Sequence, residues 1–81
     1  MKVILTKYLY PTTKLGTRYK ATDLGGNSLT LVMDYSLTVE QNHARAARAL
    51  VKKLRLDGKL TEVDIKDGRA WVLVPDREEE V

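Results

Sequence analysis

The sequence predicts a single α+β domain in which one amphipathic helix covers one face of a five-stranded antiparallel sheet. Three observations predict this fold: alternating β-branched and aromatic segments near both ends of the chain, turn signals that join them into hairpins, and one stretch of helical periodicity between the hairpins. The predicted order along the chain is βββαββ, and 81 residues suffice for one domain. Because one helix cannot cover both faces of a sheet, we expect the other face to be wet or to meet a partner.

The first three strands are predicted over residues 3–10, 17–23 and 28–35. The segment VILTKYLY at 3–10 is rich in β-branched and aromatic residues, which favour strands. Pro11 and Gly16 then interrupt the pattern. The later two segments alternate apolar and polar residues, and the GGN sequence at 25–27 between them indicates a turn.

The helix is predicted to begin after Thr38. Thr38 suits the N-cap, and Gln41 three residues later completes a capping box. Lys52, Lys53 and Arg55 fall in the last turn, where cations complement the helix dipole, and Gly58 is the predicted stop.

The last two strands are predicted to form a hairpin whose turn is centred on Asp67-Gly68. With that turn Val63 pairs with Val72, and Trp71 lies on the opposite face of the hairpin with Leu73. We expect the domain to span residues 1–75 and the acidic residues 76–81 to form a flexible tail.

Composition excludes several classes of function. The chain has no cysteine, so disulfides and thiolate chemistry are excluded, and a reducing cytoplasm is expected. One histidine without cysteine does not supply a zinc ligand set unless carboxylates or a second subunit complete it. No phosphate-binding glycine loop or nucleophile elbow is present. No apolar run approaches the ~18 residues of a membrane span. We therefore expect no enzyme, no metal, no cofactor and no membrane partner, and the N-terminal MKVILTKYLYP is interpreted as a strand and not a signal peptide.

Charge is distributed unevenly along the chain. Residues 1–59 hold eleven Lys and Arg against four acids, whereas residues 60–81 hold three bases against seven acids. A basic body predicts an anionic partner, although ordinary surface charge remains the alternative.

His43 first suggests a chemical site because it is the only histidine. On a wheel of about 100° per residue, however, it lies in the middle of the apolar stripe of the helix. We interpret it as a partly buried histidine bonded to backbone or to a neighbour such as Tyr35, with ligand contact as the alternative. Asn42 beside it is likewise assigned either a structural or a site role.

The opposite face of the helix carries an unpaired basic stripe. Solvated helix faces usually mix the two signs of charge. A stripe of one sign therefore predicts contact with nucleic acid or an acidic protein, with solubility as the alternative. Its members are Arg45, Arg48, Lys52 and Arg55.

A second basic set surrounds the turn between the first two strands. Lys14, Arg18 and Lys20 lie near several tyrosines, and bases interleaved with aromatics are typical of single-stranded nucleic-acid platforms. Tyr10 is a possible aromatic contact. Trp71 is interpreted either as a stacking or partner-binding contact or, together with Leu73, as a cover for the second face of the sheet.

The segments KYLYPTTKLGTRYKA (7–21) and EQNHARAARALVKKL (40–54) resemble a family of small uncharacterised proteins of bacteriophages and bacterial mobile elements. The family pattern is KYLxPT, then GxRxKA, then ExNHxxAAxAL, and it brings no established activity. It often continues with Gly-Trp after the helix, where this chain has Arg55-Leu56. The resemblance implies a phage or prophage context. Matching positions are Lys7, Tyr8, Leu9, Pro11, Thr12, Gly16, Arg18, Lys20, Ala21, Glu40, Asn42, His43, Ala46, Ala47, Ala49 and Leu50.

These observations predict a small cytoplasmic, non-enzymatic nucleic-acid-binding accessory protein of phage or mobile-element type, contacting phosphates through the basic helix face and strand. The alternative is a protein-interaction module that binds or inhibits a host protein, such as a defence or replication factor. A monomer and a homodimer are both consistent with the sequence.

Overall fold

A computed structural model describes residues 2–65 and 68–74, and it confirms the predicted fold. Five strands form one antiparallel sheet, and a single helix packs against it in the order βββαββ. The predicted tail at 76–81 lies outside the described residues. The elements are β1 (Lys2–Leu9), β2 (Arg18–Asp23), β3 (Ser28–Val32), α1 (Val39–Lys53), β4 (Lys59–Ile65) and β5 (Gly68–Val74).

The first strand of the chain lies in the middle of the sheet. The spatial order is β3-β2-β1-β5-β4, so β1 pairs with one strand of each hairpin. The helix connects one edge strand, β3, to the other edge strand, β4. It packs chiefly on β1, β2 and β3 and leaves the β4–β5 side of the same face less covered.

The core lies between α1 and one face of the sheet. Large side chains from the strands meet small ones from the helix, which lets the helix approach the sheet closely. Residues of the opposite face, such as Val3, Leu5 and Val72, are only partly buried. The central buried cluster comprises Ile4, Tyr19, Ala21, Ala46, Ala47, Leu50 and Trp71.

The turn between β2 and β3 is organised by a buried carboxylate. Asp23 accepts hydrogen bonds from the backbone N–H groups of Gly25 (2.9 Å) and Asn27 (2.8 Å), and Lys2 lies 3.2 Å from its Oδ2. The Asn27 side-chain amide also donates to Asp23 Oδ2 at 2.9 Å, and this bond, followed by the one from the Asn27 backbone, is the main cause that lowers the pKa of Asp23. The GGN turn signal is thus confirmed, with Gly26 at a positive φ of 92°.

The start of α1 matches the sequence prediction. Thr38 Oγ1 accepts a hydrogen bond from the Gln41 backbone N–H at 3.1 Å, and Gln41 Oε1 accepts one from the Thr38 N–H at 2.9 Å. This reciprocal pair is the predicted capping box.

The predicted helix stop at Gly58 is wrong, because the helix ends at Lys53. Leu54 is the C-cap and Arg55 adopts a left-handed φ of 57°. The N–H of Arg55 donates to Lys52 O (3.1 Å) and that of Leu56 to Val51 O (3.0 Å). This is a Schellman motif with arginine where glycine is usual.

We expect Arg55→Gly to raise the free energy of unfolding by about 0.5 to 1 kcal/mol, because glycine carries no steric penalty at this φ. Urea unfolding followed by circular dichroism measures the change. Arg55→Ala is the matched control, since it removes the same charge but keeps a Cβ. Equal stabilities of the glycine and alanine variants would contradict the prediction.

The second hairpin has a different register from the predicted one. Ile65 pairs with Gly68 and Val63 with Ala70, a shift of two residues from the predicted pairs. A shift of two leaves the described side chains of this hairpin on their predicted faces, because side chains alternate with a period of two. Gly68 belongs to β5 and not to a turn, and a Cβ there would collide with the carbonyl oxygen of Thr6 on β1. Lys66 and Asp67 lie outside the described residues.

Candidate functional site

The four cations of the basic stripe of the helix do not all lie on one surface of the protein. The Arg45 guanidinium donates to Val32 O at 2.9 Å, which turns it toward the edge of β3. Arg48, Lys52 and Arg55 are exposed. Arg48 and Lys52 are therefore the members of the stripe that remain together on the other flank of the helix, beside β4.

Arg48 and Lys52 line a groove of ≈ 430 Å³ between the C-terminal half of α1 and the β4–β5 hairpin. The groove exists because α1 packs chiefly on the other three strands. Lys59, the first residue of β4, also lines it, so three basic residues from two elements meet there. The remaining lining is mostly apolar: Val51, Leu56, Gly58, Leu60 and Trp71.

The charged residues that line this surface, called the α1–β4 groove below, are all basic. Among the described residues, none of those that line it is acidic. The described ion pairs lie elsewhere, between Lys2 and Asp23 and from Arg69 to Glu40 and Glu62. An apolar floor lowers the local dielectric, which strengthens the attraction of nearby cations for an anion.

Sequence reasoning did not include Lys59 in this set. It lies six residues after Lys53, the last residue of α1, at the start of a different element, and it lines the groove from the edge strand β4. Helical spacing from Arg48 or Lys52 does not place it, because α1 ends at Lys53.

Trp71 is not a projecting contact, so the first interpretation of this residue is wrong. Its side chain is largely enclosed, at 6% exposed, and its indole N–H donates to Thr6 Oγ1 at 3.0 Å. It shares a face with Leu73, as the second interpretation expected, but that face is the one that α1 covers and not the second face of the sheet. Trp71 also forms part of the floor of the α1–β4 groove.

The second basic set lies on a different side of the molecule. Arg18 and Lys20 point to the sheet face away from α1, since the alternating Tyr19 and Ala21 are buried beneath the helix. Arg18 Nε donates to Gly16 O at 3.1 Å, and Lys14 is exposed in the preceding loop. The strand cations and the helix cations therefore form two separate surfaces.

Asn42 has a structural role. It is 1% exposed, and its Nδ2 donates to Asp34 O and Thr38 O, both at 3.0 Å. Its Oδ1 accepts from the Asp34 N–H at 2.9 Å. The side chain thus holds the loop before α1, and it explains why β3 ends at Val32 and not at the predicted residue 35.

His43 lies buried in the apolar stripe, as the wheel predicted, at 3% exposed. Its Nδ1 is 2.7 Å from Thr6 Oγ1, and its ring packs edge-on against Tyr19 at a centroid distance of 4.9 Å. The predicted contact between His43 and Tyr35 is wrong, because Tyr35 is 76% exposed. Burial, and secondarily the charge of Arg69, lower the pKa of His43, so the ring is neutral at neutral pH.

Two further features bear on function. Among the residues that the structure describes, no three His, Cys, Asp or Glu side chains are grouped as metal ligands. No helix within the described ranges is both long and apolar enough to cross a membrane.

Comparisons of the chain with family models, with curated proteins and with solved structures gave no significant match.

Proposed function

We propose that the protein is a small non-enzymatic nucleic-acid-binding accessory protein, of phage or mobile-element type, that holds phosphates in the α1–β4 groove. The observation that carries the proposal is the convergence of Arg48, Lys52 and Lys59 on one groove without an acidic residue among its described lining. Arginine and lysine side chains supply most phosphate contacts in nucleic-acid complexes. The lack of cysteine is in keeping with a cytoplasmic setting.

The groove favours an extended polyanion over a compact one. Its volume is ≈ 430 Å³, its cations come from two elements, α1 and β4, and the rest of its lining is mostly apolar. Single-stranded nucleic acid suits such a surface, because its backbone follows a basic groove while apolar parts of its bases contact the floor.

We expect Arg48→Ala/Lys52→Ala to weaken binding of a short single-stranded oligonucleotide by about tenfold at low salt. The plot of log affinity against log salt should also become less steep, by about 0.7 for each phosphate that the variant no longer neutralises. Fluorescence anisotropy at several salt concentrations measures both quantities.

Arg18→Ala/Lys20→Ala is the matched control, because it removes two cations from the opposite side of the sheet. The proposal predicts little change in this control. If the control loses binding and the groove variant does not, the interface lies on the strand β2 and not in the groove. If the unmodified protein does not bind the oligonucleotide, the proposal is overturned. An acidic host protein would respond to the same groove variant, so capture from lysate with and without nuclease distinguishes the two kinds of partner.

A further inference from the structure

A second cavity, of ≈ 370 Å³, opens at the N-terminal end of α1. It lies where β1 extends beyond the start of β5, since β5 pairs with β1 only as far as Thr6. Lys7, Tyr8 and Tyr10 from β1 and its following loop meet Val39, His43 and Arg69 there. The volume falls within the range of sites for small organic ligands, about 300 to 1,000 Å³. The proposed function makes no use of this cavity or of His43.

The hydrogen bonds of Thr6 guide the assignment of the His43 tautomer. Thr6 Oγ1 accepts from the Trp71 indole N–H, so its single proton can go either to His43 Nδ1 at 2.7 Å or to Arg69 O at 3.4 Å. We assign the hydroxyl proton to Nδ1 because that distance is the shorter one, and with this assignment the neutral ring carries its proton on Nε2. Nε2 has no hydrogen-bond partner among the described residues, although the side chain is only 3% exposed and lines the cavity.

Aromatic rings form one wall of the cavity. Tyr8 packs edge-on against Tyr10 at a centroid distance of 5.0 Å and against Tyr19 at 5.4 Å. Tyr10 is 77% exposed, so this series of rings ends in one that is open to stacking. An aromatic wall of this kind favours a planar ligand.

The polar groups of the cavity set the rest of the ligand's chemistry. His43 Nε2–H requires a hydrogen-bond acceptor. Arg69 is paired with Glu40 (3.3 Å) and Glu62 (2.8 Å), which balances its charge. Lys7 borders the cavity, but it pairs with Lys20 and shares that residue's sheet face, away from α1. A planar heteroaromatic ring with a carbonyl or ring-nitrogen acceptor meets the requirements of the aromatic wall and of His43.

We propose that this cavity binds a nucleobase, with an acceptor of the base on His43 Nε2–H and the ring against Tyr10. The base can belong to a free mononucleotide or to an unpaired position of a single strand. The first source is independent of the α1–β4 groove, and the second rests on the function proposed above.

The test titrates the protein with uridine and adenosine 5′-monophosphates and follows the His43 and Tyr10 resonances by NMR. Ribose 5-phosphate, which lacks the base, is the control ligand. We expect the nucleotides to shift the His43 Nε2 resonance at about 1 mM and ribose 5-phosphate to leave it unchanged. Tyr10→Ala should weaken nucleotide binding by about fivefold or more. Tyr35→Ala, which removes an equally exposed tyrosine that does not line the cavity, should not.

The same two variants are tested with a single-stranded oligonucleotide and with an abasic strand of equal length. If Tyr10→Ala weakens binding of the base-containing strand only, the ligand is an unpaired base of a single strand. If it weakens binding of the mononucleotides, the ligand is a free nucleotide. If Tyr10→Ala and Tyr35→Ala behave alike with every ligand, or if ribose 5-phosphate reproduces the nucleotide shifts, the proposal is overturned. Arg48→Ala/Lys52→Ala should leave mononucleotide binding unchanged. The mononucleotide titration therefore tests the cavity separately from the function proposed for the α1–β4 groove.

Discussion

Replacing Thr6 with valine is expected to lower the free energy of unfolding by about 3 kcal/mol. Valine keeps the shape and the strand preference of threonine but has no hydroxyl. The Trp71 indole N–H then loses its 3.0 Å acceptor, and His43 Nδ1 loses its 2.7 Å partner. All three side chains are buried, and each polar group left unpaired costs about 1 to 3 kcal/mol.

Thr6→Ser is the matched control, because it keeps the hydroxyl and removes only a methyl group, at a cost of about 1 kcal/mol. Urea unfolding of both variants gives the comparison, and the NMR shift of the Trp71 indole proton reports the hydrogen bond directly. A serine variant that is less stable than the valine variant would show that packing, and not the hydroxyl, stabilises this part of the core.

Replacing Asn42 with alanine is the second change with a large expected effect, again a decrease of about 3 kcal/mol in the free energy of unfolding. The amide of Asn42 donates to two backbone carbonyls and accepts from a backbone N–H, so the substitution removes three buried hydrogen bonds together. The loop between β3 and α1 should loosen as well, because Asn42 holds both backbone groups of Asp34.

Hydrogen exchange at the Asp34 amide checks this local effect, and thermal unfolding checks the global one. Arg48→Ala, at an exposed position of the same helix, is the control and should change stability by less than about 0.5 kcal/mol. Unchanged exchange at Asp34 in the Asn42 variant would contradict the role assigned to this side chain.

Local patterns in the sequence were sufficient for the elements and for their faces. The capping box at Thr38 and Gln41 depends on atoms three residues apart, and the wheel placed His43 on the buried stripe from spacing within one helix. The end of the helix was mispredicted, because glycine usually takes the left-handed position and here Arg55 does.

The two candidate sites could not be read from the same patterns. The α1–β4 groove requires that α1 lie over three strands and that Lys59 begin the edge strand beside it. The nucleobase cavity requires β1 to extend past the start of β5. Both are consequences of how elements are placed against one another, which local periodicity does not encode.

The sequence by itself determined the α+β class, the capped start of the helix and the face on which each hairpin side chain lies, because these features depend on residues a few positions apart. Only the tertiary structure decided that β1 is central, that His43 bonds to Thr6, and that the helix cations separate from the strand cations. The physical reason is the separation of the partners: Thr6 and Trp71 are 65 residues apart, and their hydrogen bond forms only after the sheet has brought their strands together.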